Sequence, residues 1–408
     1  MITFDDVSFT YQGSISDGSE PPVLRHIHFH AERGECIVLC GKSGCGKTTM
    51  LRMVNGLVPH FYQGCLEGDI TVGNVNIKEA SLPQIAAVAG SVFQNPRTQF
   101  FHLDTTGEMA FNMENLNVPH DKMVERLKET AWKLDIQALM DRDIFQLSGG
   151  EKQQIACGSV YASMPAVIVM DEPSSNLDME SIRKLQDLIR TMKDEGKTIL
   201  ISEHRLWYLE DIADRYVLLN DGQIEHEFTG DEILTLSSRK LEQAGLRAVR
   251  PEQIWNTGRH TIKQKNDLDE TAFLEIEGLQ FSRQMKQVLD INRLAIPKGA
   301  IVAVIGENGA GKSTFALCLC GLLKHHGTVR INGERIPNKK LSEQTYLVMQ
   351  EPGHQLFSDS VLGELMLNNG TITETEAADV LEKIGLAGLG KRHPGALSGS
   401  QQQRLSLG

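Results

Sequence analysis

Two stretches decide how this chain is read: GKSGCGKTT at Gly41–Thr49 and GENGAGKST at Gly306–Thr314. Both satisfy GxxxxGK[ST], and both follow an apolar, β-rich run, CIVLC before the first and AIVAVI before the second. A strand, a glycine loop and a helix in that order make a phosphate cradle. Gly41, Ser43, Gly44 and Gly46, with Gly306, Asn308, Gly309 and Gly311 in the second stretch, let backbone N–H groups turn toward an anion. The following helix presents its positive end to the same place. Lys47 and Lys312 then reach the outer phosphates of a nucleotide, Thr48 and Ser313 offer a hydroxyl to Mg²⁺, and Thr49 and Thr314 complete the helix start.

The two loops are landmarks of a longer repeat. Gln94 in SVFQNP returns as Gln350 in LVMQEP, and LSGGEKQQ from Leu147 returns as LSGSQQQR from Leu397. The same order with slowly shrinking spacing means two homologous domains in tandem, the second with shorter loops.

The magnesium site of such a fold needs a carboxylate at the end of a buried strand, and AVIVMDEP supplies Asp171 after the run Ala166–Met170. Glu172 follows as a candidate base for an attacking water. The run KTILIS at Lys197–Ser202 delivers Glu203 and His204 to the same C-terminal sheet edge, where ligands bind in open α/β sheets. Ser148 and Ser398, with Gly149, Gly150 and Gly399, form serine-glycine turns of the kind that cap the start of a helix.

Composition bounds what remains. The 408 residues are 40% hydrophobic and 23% charged, the mixture of a globular chain of about two domains. A formal net charge of −12 argues against a direct nucleic-acid partner, because phosphate backbones are gripped by clustered Lys and Arg. Apolar runs such as Ala316–Leu323 fall far short of the ~20 residues of a membrane helix. MITFDDVSF carries no secretory pattern. The seven cysteines lack CxxC spacing and are expected to be buried thiols of a reducing compartment.

With the phosphate loops, SSNLD after the acidic pair and LSGGE all present, the chain resembles a fused pair of ATP-binding-cassette ATPases over nearly its whole length. The resemblance implies an α/β fold of two tandem P-loop domains. Each has a mostly parallel core sheet, an antiparallel β subdomain and a helical signature subdomain, the second copy being incomplete. Domains are expected at 1–235 and 271–408 with a connector at 236–270; the stretch Leu246–Thr271 is polar and mixed, which puts the boundary near Asp267–Thr271.

In that family two cassettes pack head to tail, so that ATP on the phosphate loop of one is closed over by the signature of the other. The resemblance assigns Tyr11 to adenine stacking, Gln94 to sensing magnesium and the transporter partner, and Asp171 to magnesium. It assigns Glu172 to the base, Asp178 to cross-talk and His204 to a γ-phosphate switch; Lys312, Ser313 and Gln350 take the matching roles in the second copy. ATP and Mg²⁺ are the implied substrate and cofactor.

Finer wording narrows the group. QNPRTQFF, EMAFNMEN and SEHRLWYLEDIADR are similar to the ATPases of energy-coupling-factor importers, which bring vitamins or transition-metal ions into prokaryotic cells. Such a subunit would sit at the cytoplasmic face of the membrane, docked on an integral scaffold protein that holds a small substrate-binding subunit. A sugar importer and a soluble ribosome- or DNA-associated cassette protein are the alternatives; QNP and SEHRL weigh against the first, the short linker and acidic charge against the second.

The second copy departs from the pattern. Arg283 stands where Tyr11 does, so the adenine platform there is a guanidinium plane or Phe281 shifted in register. Ser400 replaces Gly150, and a side chain there is expected to crowd the phosphates or to meet a φ above zero. The first site is nonetheless expected to hydrolyse ATP with the second loop disabled by Lys312→Ala. After Leu397 the sequence has no room for an acidic strand, base or switch histidine, so the given chain is expected to be a fragment, with unpaired strand edges and exposed apolar surface in its second domain.

Overall fold

The computed structural model describes residues 1–12, 22–175, 177–247, 249–250, 272–283, 286–367 and 372–408. It divides into two compact units, Met1–His260 and Thr261–Gly408. The boundary expected at Asp267–Thr271 lies outside the described residues.

In the first unit β1 (Ile2–Tyr11), β2 (Leu24–Ala31), β4 (Gly64–Val72) and β5 (Val75–Asn76) form an antiparallel sheet in the order β2-β1-β4-β5. The core sheet is built from β3 (Cys36–Gly41), β6 (Ala89–Val92), β7 (Val167–Asp171), β8 (Thr198–Ser202), β9 (Arg215–Asn220) and β10 (Gln223–Thr229). Its order is β10-β9-β3-β8-β7-β6. Every pairing is parallel except β9 with β10.

Every residue of β3 is buried, as expected of a parallel strand covered on both faces. Ile37 and Leu39 face the antiparallel sheet and the phosphate-loop helix Lys47–Val54. Cys36, Val38 and Cys40 face the signature helix Gly149–Ala162 and the helix Met179–Asp194. The latter starts at Asp178, whose side chain accepts from the Ser181 N–H at 2.9 Å. It buries Ile182, Leu185, Leu188, Ile189 and Met192, a helical stripe in which each side chain contributes about 1.5–3 kcal/mol of apolar transfer. After β10 the chain forms the short helices Gly230–Leu234 and Ser238–Gln243.

In the second unit β11 (Ala272–Arg283), β12 (Lys286–Pro297), β13 (His326–Ile331) and β14 (Glu334–Ile336) form one antiparallel sheet, ordered β12-β11-β13-β14. The helix Lys312–Leu319 packs on it through Phe315 and Cys318. A separate apolar cluster of Val361, Leu381, Leu386, Leu397 and Leu405 holds the helical part together.

The run AIVAVI is not a strand there: residues 300–305 are unpaired, and Ile301 and Ile305 are 101% and 88% exposed. The reason is pairing. The equivalent β3 is held by β8 and β9, whereas no strand among the described residues pairs with residues 300–305.

The thiols are free, and all are buried except Cys65, which is exposed on β4; its odd place in the strand turns it outward, against the expectation for the set. No helix among the described residues is long and apolar enough to cross a membrane.

Candidate active site

The parallel strands of the first unit end at one edge, and each delivers one part of a site. From β3 comes the phosphate loop, with Gly41, Gly44 and Gly46 at φ of 136°, 84° and 106°. Two of these have no room for another residue. A Cβ on Gly41 would lie 2.2 Å from the Leu219 carbonyl oxygen, and one on Gly46 2.5 Å from Leu24 Cδ2. Lys47 is buried, and its ammonium donates to the carbonyl oxygens of Gly41 and Lys42, each at 2.9 Å. Those two carbonyls are acceptors of the kind that a phosphate oxygen can replace.

Thr48 Oγ1 donates to Asp171 Oδ1 at 3.2 Å, and Ser202 Oγ bonds the same oxygen. A hydroxyl and a carboxylate side by side are the hard oxygen donors that Mg²⁺ takes, so the residues present fit the ion. The Thr49 hydroxyl is turned elsewhere, to Tyr11 OH at 3.1 Å.

Glu172 is the point on which the edge converges. Gln94, after β6, donates its Nε2 to Glu172 Oε2 at 2.9 Å, and His204 Nε2, after β8, lies 3.2 Å from Glu172 Oε1. The backbone of Glu172 has φ 44°, a left-handed conformation that costs a branched-at-Cβ or long residue on the order of 1 kcal/mol. Its N–H is held by the Ser202 carbonyl at 2.9 Å. The His204 hydrogen bond, with the nearby charges of Lys47 and Arg247, holds the Glu172 carboxyl below its usual range despite partial burial. It is an ionised base at neutral pH.

Glu203 has a different task. It is 2% exposed and accepts from the N–H groups of Ser174, His204 and Arg205 at 3.3, 2.8 and 3.1 Å and from Tyr208 OH at 2.9 Å. It shapes the turn that carries His204. Neither this role, nor Ser202 on Asp171, nor Arg247 near Glu172 had a motif to betray it in sequence.

Tyr11 ends β1 with its ring edge-on to Phe9 at 4.8 Å, while Arg52 donates to its hydroxyl at 3.3 Å. The strand registers support the alignment with Arg283: Phe9 opposes Leu24, which touches Gly46, and Phe281 opposes Leu289, which touches Gly311. Arg283 is exposed at the end of β11.

Both signatures begin as capping boxes. Ser148 accepts from the Glu151 N–H at 3.3 Å and its own N–H donates to Glu151 Oε2 at 2.7 Å; Ser398 and Gln401 repeat the pattern at 3.4 and 2.9 Å. Gly149 is exposed with open space where a Cβ would stand. Gly150 does not have a positive φ, which corrects the expectation drawn from Ser400. Its constraint is packing, since a Cβ there would meet Ser181 Oγ at 2.1 Å. In the second copy Ser400 is exposed, and the helix equivalent to Met179–Asp194 is not among the 408 residues.

The second phosphate loop is formed even without its sheet. Gly306, Gly309 and Gly311 have φ of 150°, 85° and 95°, and Lys312 donates to the Gly306 and Glu307 carbonyl oxygens, each at 2.7 Å. Ser313, Gln350 and Gly399 are exposed. The loop is thus a local structure, set by glycines and its own lysine. Beside Gln94 in the first unit, Phe93, Phe101 and Phe111 line an open apolar groove with Leu57 and Leu82.

The family profile described as ABC transporter matches residues 24–175 and 288–408. The chain belongs to the ABC transporter family. Its two matched regions are two cassettes in tandem, and ABC cassettes of this kind bind and hydrolyse ATP, pair with a second cassette and work with membrane subunits.

An ABC transporter ATP-binding protein of Treponema denticola, so named by proposal, is 40% identical over 423 aligned positions covering all of this chain and 82% of the relative. A proposed HMP/thiamine import ATP-binding protein of Bacillus subtilis, YkoD, is 31% identical over all of this chain and 78% of its own length. Among solved structures, cbiO1 from Clostridium perfringens, part of the ABC transporter complex cbiONQ, superposes with a TM-score of 0.53 at 24% identity, over 63% of this chain and 97% of that one. That likeness shows the cassette fold.

Proposed function

We propose that this chain is the ATP-hydrolysing motor of an importer of the energy-coupling-factor type, driving uptake of a vitamin or a transition-metal ion through separate membrane subunits. The observation that carries the motor is the convergence of Gln94 and His204 on ionised Glu172, next to the Thr48–Asp171 oxygen pair. In this reading Lys47 and the loop N–H groups bind the β- and γ-phosphates, and Glu172 takes a proton from the attacking water. His204 holds Glu172 and meets the γ-phosphate, and Gln94 reports its presence to the partner groove beside it. Thr48 and Asp171, with Gln94 nearby, would hold Mg²⁺, which when bound would supply charge neutralisation on the phosphates; Ser313 and Gln350 would be the corresponding groups in the second cassette.

Tyr11 is assigned to the adenine side and Asp178 to cross-talk with the paired cassette. The signatures Ser148–Gly150 and Ser398–Gly399 close over nucleotide held by the opposite cassette. ATP binding then biases a closed pair and hydrolysis reopens it.

The importer subgroup rests on QNPRTQFF and SEHRLWYLEDIADR, and on the relative whose name refers to HMP/thiamine import. It places the chain at the cytoplasmic face of a prokaryotic membrane, on an integral scaffold that carries a substrate-binding subunit. The test is to purify the tagged chain with its membrane subunits in detergent, reconstitute the complex in vesicles, and follow ATP-dependent uptake of labelled thiamine precursors, cobalt and nickel. Uptake of one of these, abolished by Glu172→Gln, is expected. Uptake of a sugar, or co-sedimentation with ribosomes that survives high salt, would contradict the reading.

A further inference from the structure

Asp171 and Ser202 end neighbouring parallel strands, and they are the last pair in the β7–β8 register. Residues opposed in this way put their side chains on the same face of a sheet. Asp171 is half-buried and Ser202 fully buried. A serine hydroxyl has one hydrogen to give and two lone pairs to receive. The hydrogen of Ser202 goes to Asp171 Oδ1, and its oxygen accepts from the Glu172 N–H at 3.2 Å. One hydroxyl thus touches both the carboxylate that fits Mg²⁺ and the backbone of the base.

The two contacts are not equal. The Glu172 N–H also donates to the Ser202 carbonyl, at 2.9 Å, and that main-chain bond holds the base at φ 44° whatever side chain stands at position 202. Asp171 depends more on the hydroxyl. Its Oδ1 accepts from Ser202 and from Thr48, the latter at 3.2 Å. Thr48 is itself one of the oxygens that would turn to the ion, so of the two donors only Ser202 can keep the carboxylate oriented with the ion present. Ser202 is well fixed for that task, on a strand flanked by Leu39 of β3 and Asp171 of β7.

We propose that Ser202 is a positioning residue for the divalent ion of the first cassette, its hydroxyl fixing the orientation of the Asp171 carboxylate and so setting the affinity for the metal. Groups that orient a metal ligand commonly carry about 10–100-fold of metal affinity. Three consecutive residues at the end of β8 then serve three parts of the site: Ser202 the metal carboxylate, Glu203 the turn, and His204 the base. The inference rests on the first phosphate loop being an ATP site.

The experiment uses the full chain carrying Lys312→Ala, so that the first site alone reports. Mn²⁺ is titrated in the presence of a non-hydrolysable ATP analogue and its binding is followed by electron paramagnetic resonance, while the affinity for the analogue alone is measured in EDTA. Ser202→Ala is expected to weaken Mn²⁺ binding about tenfold to hundredfold and to alter the spectrum of the bound ion. Ser202→Cys, whose thiol is a weak donor, is expected to stay close to Ser202→Ala. Affinity in EDTA is expected to be kept, because Lys47 and the loop glycines are unchanged. In turnover, the Mg²⁺ concentration for half-maximal rate should rise by a larger factor than the maximal rate falls.

Glu203→Gln separates this role from a general loosening of the strand end. It weakens the adjacent strut, which accepts from the N–H groups of Ser174, His204 and Arg205, and should leave Mn²⁺ affinity near that of the parent. Mn²⁺ affinity unchanged in both Ser202 variants, a loss matched by Glu203→Gln, or an equal loss of analogue affinity in EDTA would overturn the proposal, since each would mean that the hydroxyl only completes the fold. A parent chain with no nucleotide-dependent Mn²⁺ signal would instead remove the ATP-site assignment beneath it, and the proposal with it.

Discussion

Glu172→Gln is the perturbation whose size the structure sets most directly. The substitution keeps the shape of the side chain, and its remaining oxygen can still accept from Gln94, which donates at 2.9 Å. It removes the negative charge that His204 faces at 3.2 Å and with it the ability to take a proton from water. A positioned general base contributes about 10²–10⁴ in rate, or roughly 3–5.5 kcal/mol of barrier. Phosphate release at saturating ATP should fall by that factor, measured in the Lys312→Ala background so that only the first cassette contributes. ATP affinity should be kept or tightened, since Glu172 bonds Gln94 and His204 and not the phosphate loop. Turnover at the parent rate would refute the assignment of the base. Loss of ATP binding in step with turnover would refute the separation of binding from chemistry.

Three further outcomes follow from the same geometry. Gly150→Ser drives a side chain into Ser181, whose Oγ would lie 2.1 Å from the new Cβ; overpacking of this kind costs about 1–3 kcal/mol, read as a lower denaturant midpoint and recovered in part by Ser181→Gly. Glu203→Ala strips the acceptor from three N–H groups and the Tyr208 hydroxyl and should cost about 3 kcal/mol or more, with ATP turnover falling as the His204 turn loosens. Burial alone would raise the Glu151 carboxyl, but the Ser148 N–H and hydroxyl and the Arg142 guanidinium outweigh it and hold it below the usual range. A depressed carboxylate contributes stability that is present above its unfolded value near ~4.3 and is lost as pH falls through the folded one. Acid unfolding should therefore be less steep below that pH for Glu151→Gln, which keeps the capping geometry that Gln401 shows, than for the parent; identical acid limbs would refute it.

What the sequence made legible was whatever depends on local chemistry. Two glycine loops, each with a lysine that folds back on its own carbonyls, form in either unit, because φ angles and a single side chain settle them. The acidic pair and His204 were legible as strand ends, and the sheet order brings them beside Thr48. What depends on partners distant in sequence was not legible. Gly150 looked like a conformational glycine and is a packing glycine, because Ser181 on a later helix covers it. Glu203 looked like a second candidate at the site and is a buried strut. AIVAVI had the composition of β3 but forms no strand in the second unit, since a parallel strand exists only with neighbours to pair.

The central claim is that the first phosphate loop is a working hydrolytic site in a tandem cassette ATPase. Its most direct test is phosphate release by the purified full chain with Mg²⁺ and ATP, compared between Lys47→Ala and Lys312→Ala. The account predicts that Lys47→Ala abolishes release and that Lys312→Ala leaves measurable turnover. Hydrolysis at the parent rate by Lys47→Ala would contradict it.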